Sequence, residues 1–455
     1  MKKNTLYLIL IAIFISAAGF IIFKAKGDNL KKKMVVYPFL NRKGITTATA
    51  EWKTNREAAE KLIKIIEANP KELNAMLRLS NLYILEARAS GNYGYYDQAA
   101  MKYINEVLAQ ESTNFEALTL KALVYMSQHH FADGLAIAQS AERLHPHNAF
   151  IQGVIVDGQV EMGNYDSAVI SADKMISIRP DLRSYARISY LREIHGDYPG
   201  AIEVMKLAVE AGLPGDESTE WARIQLAHLY EMVGDGEMAK ITYETSLSMR
   251  PNYVHALAGL ASLALAAHDY EKAIGYYQQA DSLVSDFTYK EELIHVYQLA
   301  GQKEKADQMA TVVTAEMEKN AIAVNADENI GHYADKELAY AYLKVGNYNK
   351  ALEHALAEYN RRPKNIDVNE TLAWVYYNMD ESKKALPFIT AALITNSMNP
   401  ILMGKAGLIF KKSGDIIKAD QYLHASLKNN ANIPEQLKAA VNVAVRDLAT
   451  NKRPT

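Results

Sequence analysis

The chain predicts an all-α fold: a superhelical solenoid of about ten antiparallel helix pairs, preceded by one N-terminal transmembrane helix. Three observations carry this. One helical hairpin recurs at a period near 34 residues, clearest in SYARISYLREIHGDYPGAIEVMKLAVEAG from Ser184, EWARIQLAHLYEMVGDGEMAKITYETSLSMRP from Glu220 and KELAYAYLKVGNYNKALEHALAEYNRRP from Lys336. A period of that length and content marks stacked hairpins that share one continuous core. Small residues fall at fixed places in each copy. An apolar run, Leu6–Phe23, stands ahead of the first copy.

The N-terminal run comes first. Leu6–Phe23 is eighteen residues, flanked by Lys2 and Lys3 before and Lys24 and Lys26 after. At about 1.5 Å per residue it reaches roughly 27 Å, close to a bilayer core. An uncleaved anchor is the first reading. A secretory signal cut after Ser16-Ala17-Ala18 is the second. That cut leaves Gly19-Phe20-Ile21-Ile22-Phe23 as an apolar new terminus, which favours the anchor over residues 1–27. Orientation is pulled both ways. The excess of Lys and Arg after the run keeps the body in the cytoplasm by the positive-inside rule, whereas the short Lys2-Lys3 start is signal-like. The exported body is the expectation, periplasmic or otherwise extracytoplasmic.

Residues 28–52 read as a basic linker. Residues 1–56 hold eleven Lys/Arg against Asp28 and Glu51, a net of +9; the rest, with 39 basic and 51 acidic residues, is −12. An acidic body argues against non-specific nucleic-acid binding, which works by neutralising phosphates. The chain has no cysteine, which excludes disulfides, thiolate metal sites and cysteine nucleophiles.

Residues 53–432 hold the repeats. First helices are expected near Lys71, Phe115, Ala149, Leu182, Glu220, Val254, Phe287, His332, Ile366 and Pro400, after a half repeat from Lys53. Pro146, Pro180, Pro251 and Pro363 stop second helices. Ala122, Ala227, Ala261, Ala339 and Ala373 sit mid-way in first helices. Ala168, Ala201, Ala239, Ala273, Ala306, Ala351, Ala385 and Ala419 open second helices, where small side chains permit close approach. Gly163, Gly196, Gly234, Gly301, Gly346 and Gly414 release first helices through a left-handed residue. Residues 433–455 supply an amphipathic capping helix from Pro434 to Ala449 and a tail.

This pattern resembles the tetratricopeptide repeat family, over roughly residues 53–432. Leu182 to Tyr230 is also similar to the middle of a group of bacterial tetratricopeptide proteins. The resemblance implies right-handed superhelical stacking, contacts between nearest-neighbour repeats and protein binding in a concave groove. It implies no reaction. The charge clamp by which some members grip a peptide carboxylate is not supported: Asn81 is present, but its partner position is Leu77. Three connections depart from the pattern: Ala89 to Tyr95, Ala211 to Asp216, and Lys319 to Gly331. The last is either a hinge or a longer helix plus a turn.

Functional candidates follow from the groove. Residues at i, i+4 and i+7 share one helical stripe. This gives Arg183/Arg187/Tyr190, Trp221/Gln225/His228, Tyr333/Glu337/Tyr340 and Glu370/Trp374/Tyr377. The partner-binding set is Arg183, Arg187, Tyr190, Trp221, Gln225, His228, Tyr333, Tyr340, Trp374 and Tyr377, since aromatics and arginine carry most interface energy. Tyr190, Trp221 and Trp374 serve equally as packing between repeats. No phosphate loop, His-Glu-x-x-His or Gly-x-Ser-x-Gly occurs, so neither catalysis nor a cofactor is expected. His129-His130 lies at a hairpin turn and His145-Pro146-His147 at a repeat boundary. With no carboxylate or cysteine beside them in sequence, they read as exposed turn histidines rather than metal ligands. The function expected is a membrane-tethered scaffold that holds a polypeptide; the alternative is a solute- or glycan-binding component of an uptake system.

Overall fold

The computed structural model describes residues 36–285, 288–326, 331–428 and 433–451. Leu6–Phe23 lies outside the described residues. No helix among them is long and apolar enough to cross a membrane.

Twenty-two α-helices and one short 3₁₀ turn make up the described chain. A lone helix, Ala50–Ala68, precedes ten pairs. Repeats 1 to 5 are Leu73–Ser90 with Tyr93–Gln110, Phe115–Ser127 with Phe131–Leu144, Ala149–Glu161 with Tyr165–Ile178, Leu182–Ile194 with Tyr198–Glu210, and Glu217–Met232 with Gly236–Met249. Repeats 6 to 10 are Val254–Ala266 with Tyr270–Asp281, Thr288–Leu299 with Lys303–Ala326, Asp335–Lys344 with Tyr348–Arg361, Ile366–Asn378 with Ser382–Ala392, and Pro400–Ser413 with Ile416–Lys428.

Each hairpin turn has the same chemistry. The residue that closes the first helix is left-handed in all ten repeats, with φ between 57° and 91°. Seven are glycine. His129, His268 and Asp380 hold the position in repeats 2, 6 and 9, where an L-side chain is strained. The next residue opens the second helix: Asp197, Asp235, Asp269 and Asn347 each accept a hydrogen bond from a backbone N–H of the first turn. A glycine followed by Asp or Asn thus ends one helix and caps the next. The thirteen alanines singled out above are all essentially inaccessible to water, as close helix pairs require.

The array is not a simple linear stack. The hairpin turns of repeats 1 to 4 touch the connections between repeats 6/7, 7/8, 8/9 and 9/10, in that order. Ser285 N–H donates to Ser90 O (2.9 Å), and Tyr333 N–H to Gln128 O (3.0 Å). Asn365 Nδ2 donates to Glu161 O (3.0 Å), and Ile366 N–H to Tyr165 Oη (2.8 Å). At repeat 4, a Cβ on Gly196 would meet Asn396 O at 2.8 Å. One superhelical turn therefore holds five to six repeats, and the next turn rests on it. The nearest-neighbour expectation needs this correction: its physical reason is curvature tight enough to bring hairpin turns against connections about 200 residues away.

The ends are sealed. Phe39 is buried against repeat 1 beside Tyr83 and Tyr96. Buried Arg42 forks onto Glu86 at 2.7 and 2.8 Å, and Glu51 joins Arg42 to Arg250 of repeat 5. The second half of the basic linker is thus folded onto the array rather than solvated. At the other end Leu437, Val441, Ala444 and Leu448 of Glu435–Asn451 bury themselves on repeat 10.

Candidate functional site: the inner face of the superhelix

First helices of consecutive repeats touch one another directly, while second helices pack chiefly on their own partners and the next first helix. The first helices therefore lie at the smaller radius and line the inner face. Many stripe residues are already committed to neighbours.

Arg187 grips Asp157 of repeat 3 at 2.8 and 2.6 Å and also donates to Gly153 O. Arg183 lies over the Phe150 ring at 4.8 Å and stays exposed. Trp221 is half-buried against the core of repeats 4 to 6. Tyr340 donates to Glu370 Oε2 (2.8 Å), and Trp374 stacks on Tyr377 with centroids 4.8 Å apart. Gln225 is half-buried.

Three stripe residues stay open: Arg183, Tyr190 and His228. Tyr190 is 41% exposed and the His228 side chain 48% exposed. Even so, burial raises the Tyr190 phenol well above its ordinary range, with Asp367, Glu161 and Glu193 adding to the shift. Burial likewise lowers the His228 imidazole. Glu193, 3.9 Å from His228, is pushed up to about 7 by burial and by Asp367. Asp367 comes from repeat 9, across the joint between superhelical turns.

A residue absent from the expectations organises the far wall. Lys405 of repeat 10 is buried, pairs with Glu370 and donates to Tyr340 Oη at 3.3 Å. Its ammonium stands 5.2 Å and 5.3 Å from the ring centroids of Tyr340 and Trp374. Burial opposes the charge, but Glu370 and Tyr340 override it and raise the Lys405 ammonium above its ordinary value. The signal in the sequence was faint: a lone lysine in ILMGKAGLIF.

Tyr333 departs from its expected place. It precedes the first helix of repeat 8, which starts at Asp335 rather than near His332. The segment Gly331–Ala334 is held instead on the hairpin turn of repeat 2. His130 Nε2 bonds to Gly331 O (2.8 Å), His129 Nδ1 to Tyr333 O (3.1 Å) and His332 Nδ1 to Ser127 O (3.3 Å). The His130 and Tyr333 rings stack at 4.0 Å, as close as those of His129 and His332. His130 is therefore buried, not an exposed turn histidine. Burial, reinforced by His332, pushes His129 down to about 2. His145 and His147 are exposed as expected. The long connection resolves as an extended second helix, Lys303–Ala326, with 327–330 outside the described residues.

Helix pairs of this length, joined by left-handed turns and packed through alanines, form a solenoid of helical hairpins, the architecture that the resemblance to tetratricopeptide repeats implies. No family model matches the chain, and no curated protein matches it by sequence. Solved structures similar to it include a tetratricopeptide repeat protein from Parabacteroides merdae, 17% identical over 59% of this chain and 98% of that one, TM-score 0.34. TTC0263, a thermophilic TPR protein of Thermus thermophilus, is 19% identical over 42% and 99%, TM-score 0.38. Human IFIT1, solved as a dimer with PPP-AAAA, is 14% identical over 76% and 80%, TM-score 0.47. The likeness is one of repeat architecture and extends to no partner.

Proposed function

We propose that the chain is a non-catalytic scaffold that holds a polypeptide partner against the inner face of repeats 4 and 5, tethered to a membrane by Leu6–Phe23 with its body exported. The observation that supports this reading most is Tyr190. It offers a large, 41% exposed ring, with the Asp367, Glu161 and Glu193 carboxyls near enough to act on its phenol. An exposed aromatic in a concave, partly desolvated setting is the kind of anchor point that carries binding energy. Arg187 and Trp221 take a supporting part, because their side chains already bind repeat 3 and the core. A basic or aromatic side chain of the partner suits the Glu193 carboxyl and the Tyr190 ring. The glycan-binding alternative needs free aromatic platforms, and Trp374 and Tyr377 stack on each other under Lys412.

The test uses the full chain as bait. Tyr190→Ala with His228→Ala should weaken capture of its partner by about tenfold or more, with circular dichroism unchanged. Equal capture by the folded double variant refutes this surface. Carbonate extraction of membranes reads the tether: a body released with a mature start at Gly19 or later refutes the anchor.

A further inference from the structure

The joint between repeat 2 and the connection before repeat 8 holds a set of donors that packing alone does not account for. His129, His332 and Glu337 each bring one potential ligand atom to within 4.8 Å of the others. Both imidazoles have Nδ1 against a backbone carbonyl, Tyr333 O and Ser127 O respectively. A carbonyl only accepts, so Nδ1 carries the proton and Nε2 keeps its lone pair. Ligating histidines are oriented in just this way, through a hydrogen bond from the other ring nitrogen to a carbonyl or carboxylate. Glu337 supplies the independent observation: its Oε2 is buried and accepts no hydrogen bond. A buried carboxylate oxygen with no donor is costly. Here it lies near two imidazoles whose Nδ1 protons go to backbone carbonyls rather than to it.

The backbone adds to the argument. His129 stands where seven of ten repeats have glycine, at φ 61°. A strained residue of this kind persists where its side chain has a task. His332 and Glu337 lie just before and within the first helix of repeat 8, and the Gly331–Ala334 segment is fixed by the bonds described above.

We propose that His129, His332 and Glu337 form a binding site for a divalent transition cation of the zinc class, which staples one turn of the superhelix to the next. Two imidazole nitrogens and one carboxylate oxygen suit zinc, with a fourth position open to water. Tetrahedral coordination brings donors to ~3.3 Å of one another, so binding draws the three side chains together by small rotations. Hard cations such as Mg²⁺ prefer all-oxygen shells and do not fit.

The experiment uses the full-length chain in detergent, stripped with chelator, titrated with Zn²⁺ alone and separately with Mg²⁺. Binding of one Zn²⁺ per chain, with a raised melting temperature and slower hydrogen exchange at Gln128–His130 and Tyr333, is expected; Mg²⁺ should do neither. His332→Ala and Glu337→Gln should each weaken Zn²⁺ binding at least tenfold. His129→Gly relieves the left-handed strain, so it should keep or raise metal-free stability while losing the zinc-induced shift. The proposal falls if no Zn²⁺ binds, if Mg²⁺ acts equally, or if all three variants bind as the parent does, which would place zinc elsewhere, as at His145 and His147.

Discussion

Replacing Gly163 with alanine asks whether successive turns of the superhelix touch in solution, and Gly234 is its control. Both glycines close a first helix in the left-handed region, at φ 74° and 82°. An alanine at either position meets the same backbone penalty, about 1 kcal/mol. Their surroundings differ. A Cβ on Gly234 meets nothing within 4 Å, whereas one on Gly163 falls 2.4 Å from the carbonyl carbon and oxygen of Lys364. Carbon atoms rest at about 3.5–4.0 Å, so the next turn must retreat by more than 1 Å. That retreat strains the Ile366 N–H bond to Tyr165 and the Asn365 bond to Glu161 O. It also strains the ion pair of Arg362 with Glu161. Two hydrogen bonds at about 1 kcal/mol each, plus overpacking of about 1–3 kcal/mol, put Gly163→Ala roughly 3–5 kcal/mol below Gly234→Ala. Urea denaturation measures the difference, and hydrogen exchange localises it. Gly163→Ala should speed exchange at Ile366, some two hundred residues away, and Gly234→Ala should not. Equal losses, with Ile366 protection unchanged, would refute contact between turns.

Two further outcomes follow from buried charge. Asp97 is 2% exposed and accepts a hydrogen bond from Ser127 Oγ (2.9 Å); burial pushes its carboxyl up to about 7. A folded-state value above the unfolded one means that the folded chain binds the extra proton. The contribution is therefore present below about pH 4 and is lost as pH rises to about 7. Asp97→Asn keeps the acceptor, so it should flatten that slope and stabilise the chain at pH 8 by on the order of 2–4 kcal/mol, read from denaturation midpoints across pH. At the far wall, Lys405→Met or Glu370→Gln alone should cost about 3–5 kcal/mol by stranding its partner. The double variant should cost much less than the two losses added, and additive losses in the double-mutant cycle would show that the pair is not coupled.

The repeat was legible because its determinants are local. Alanine spacing, left-handed glycines and Asx caps each act within a few residues, so first helices start at Phe115, Ala149, Leu182, Val254, Ile366 and Pro400 as read. His332 misled the reading of repeat 8 because the residues after it are held by repeat 2, and nothing in the local pattern encodes that. The stripes follow from helical spacing along the first helices, and Tyr333 falls outside its helix. Yet which of their members stay open depends on counterparts one repeat away or one turn away, such as Asp157 for Arg187 and Lys405 for Tyr340. Sequence spacing cannot report such pairs: His129 and His332 are two turn residues until the superhelix closes and sets their rings 4.0 Å apart.

That closure has a consequence for how the chain is made. The bonds between turns join residues mostly 199 to 205 positions apart. At about 5–20 residues per second, synthesis leaves each hairpin turn of the first coil waiting roughly 10–40 s for its counterpart. During that interval Gln128, Glu161 and Tyr165 present unmet polar groups on an otherwise finished surface. The early repeats can nucleate one after another from local contacts, but the ledge they form is completed only when the C-terminal repeats arrive. A nascent chain halted near residue 330 would carry well-formed hairpins with an open seam, and that seam is the surface a chaperone or a second copy would meet first.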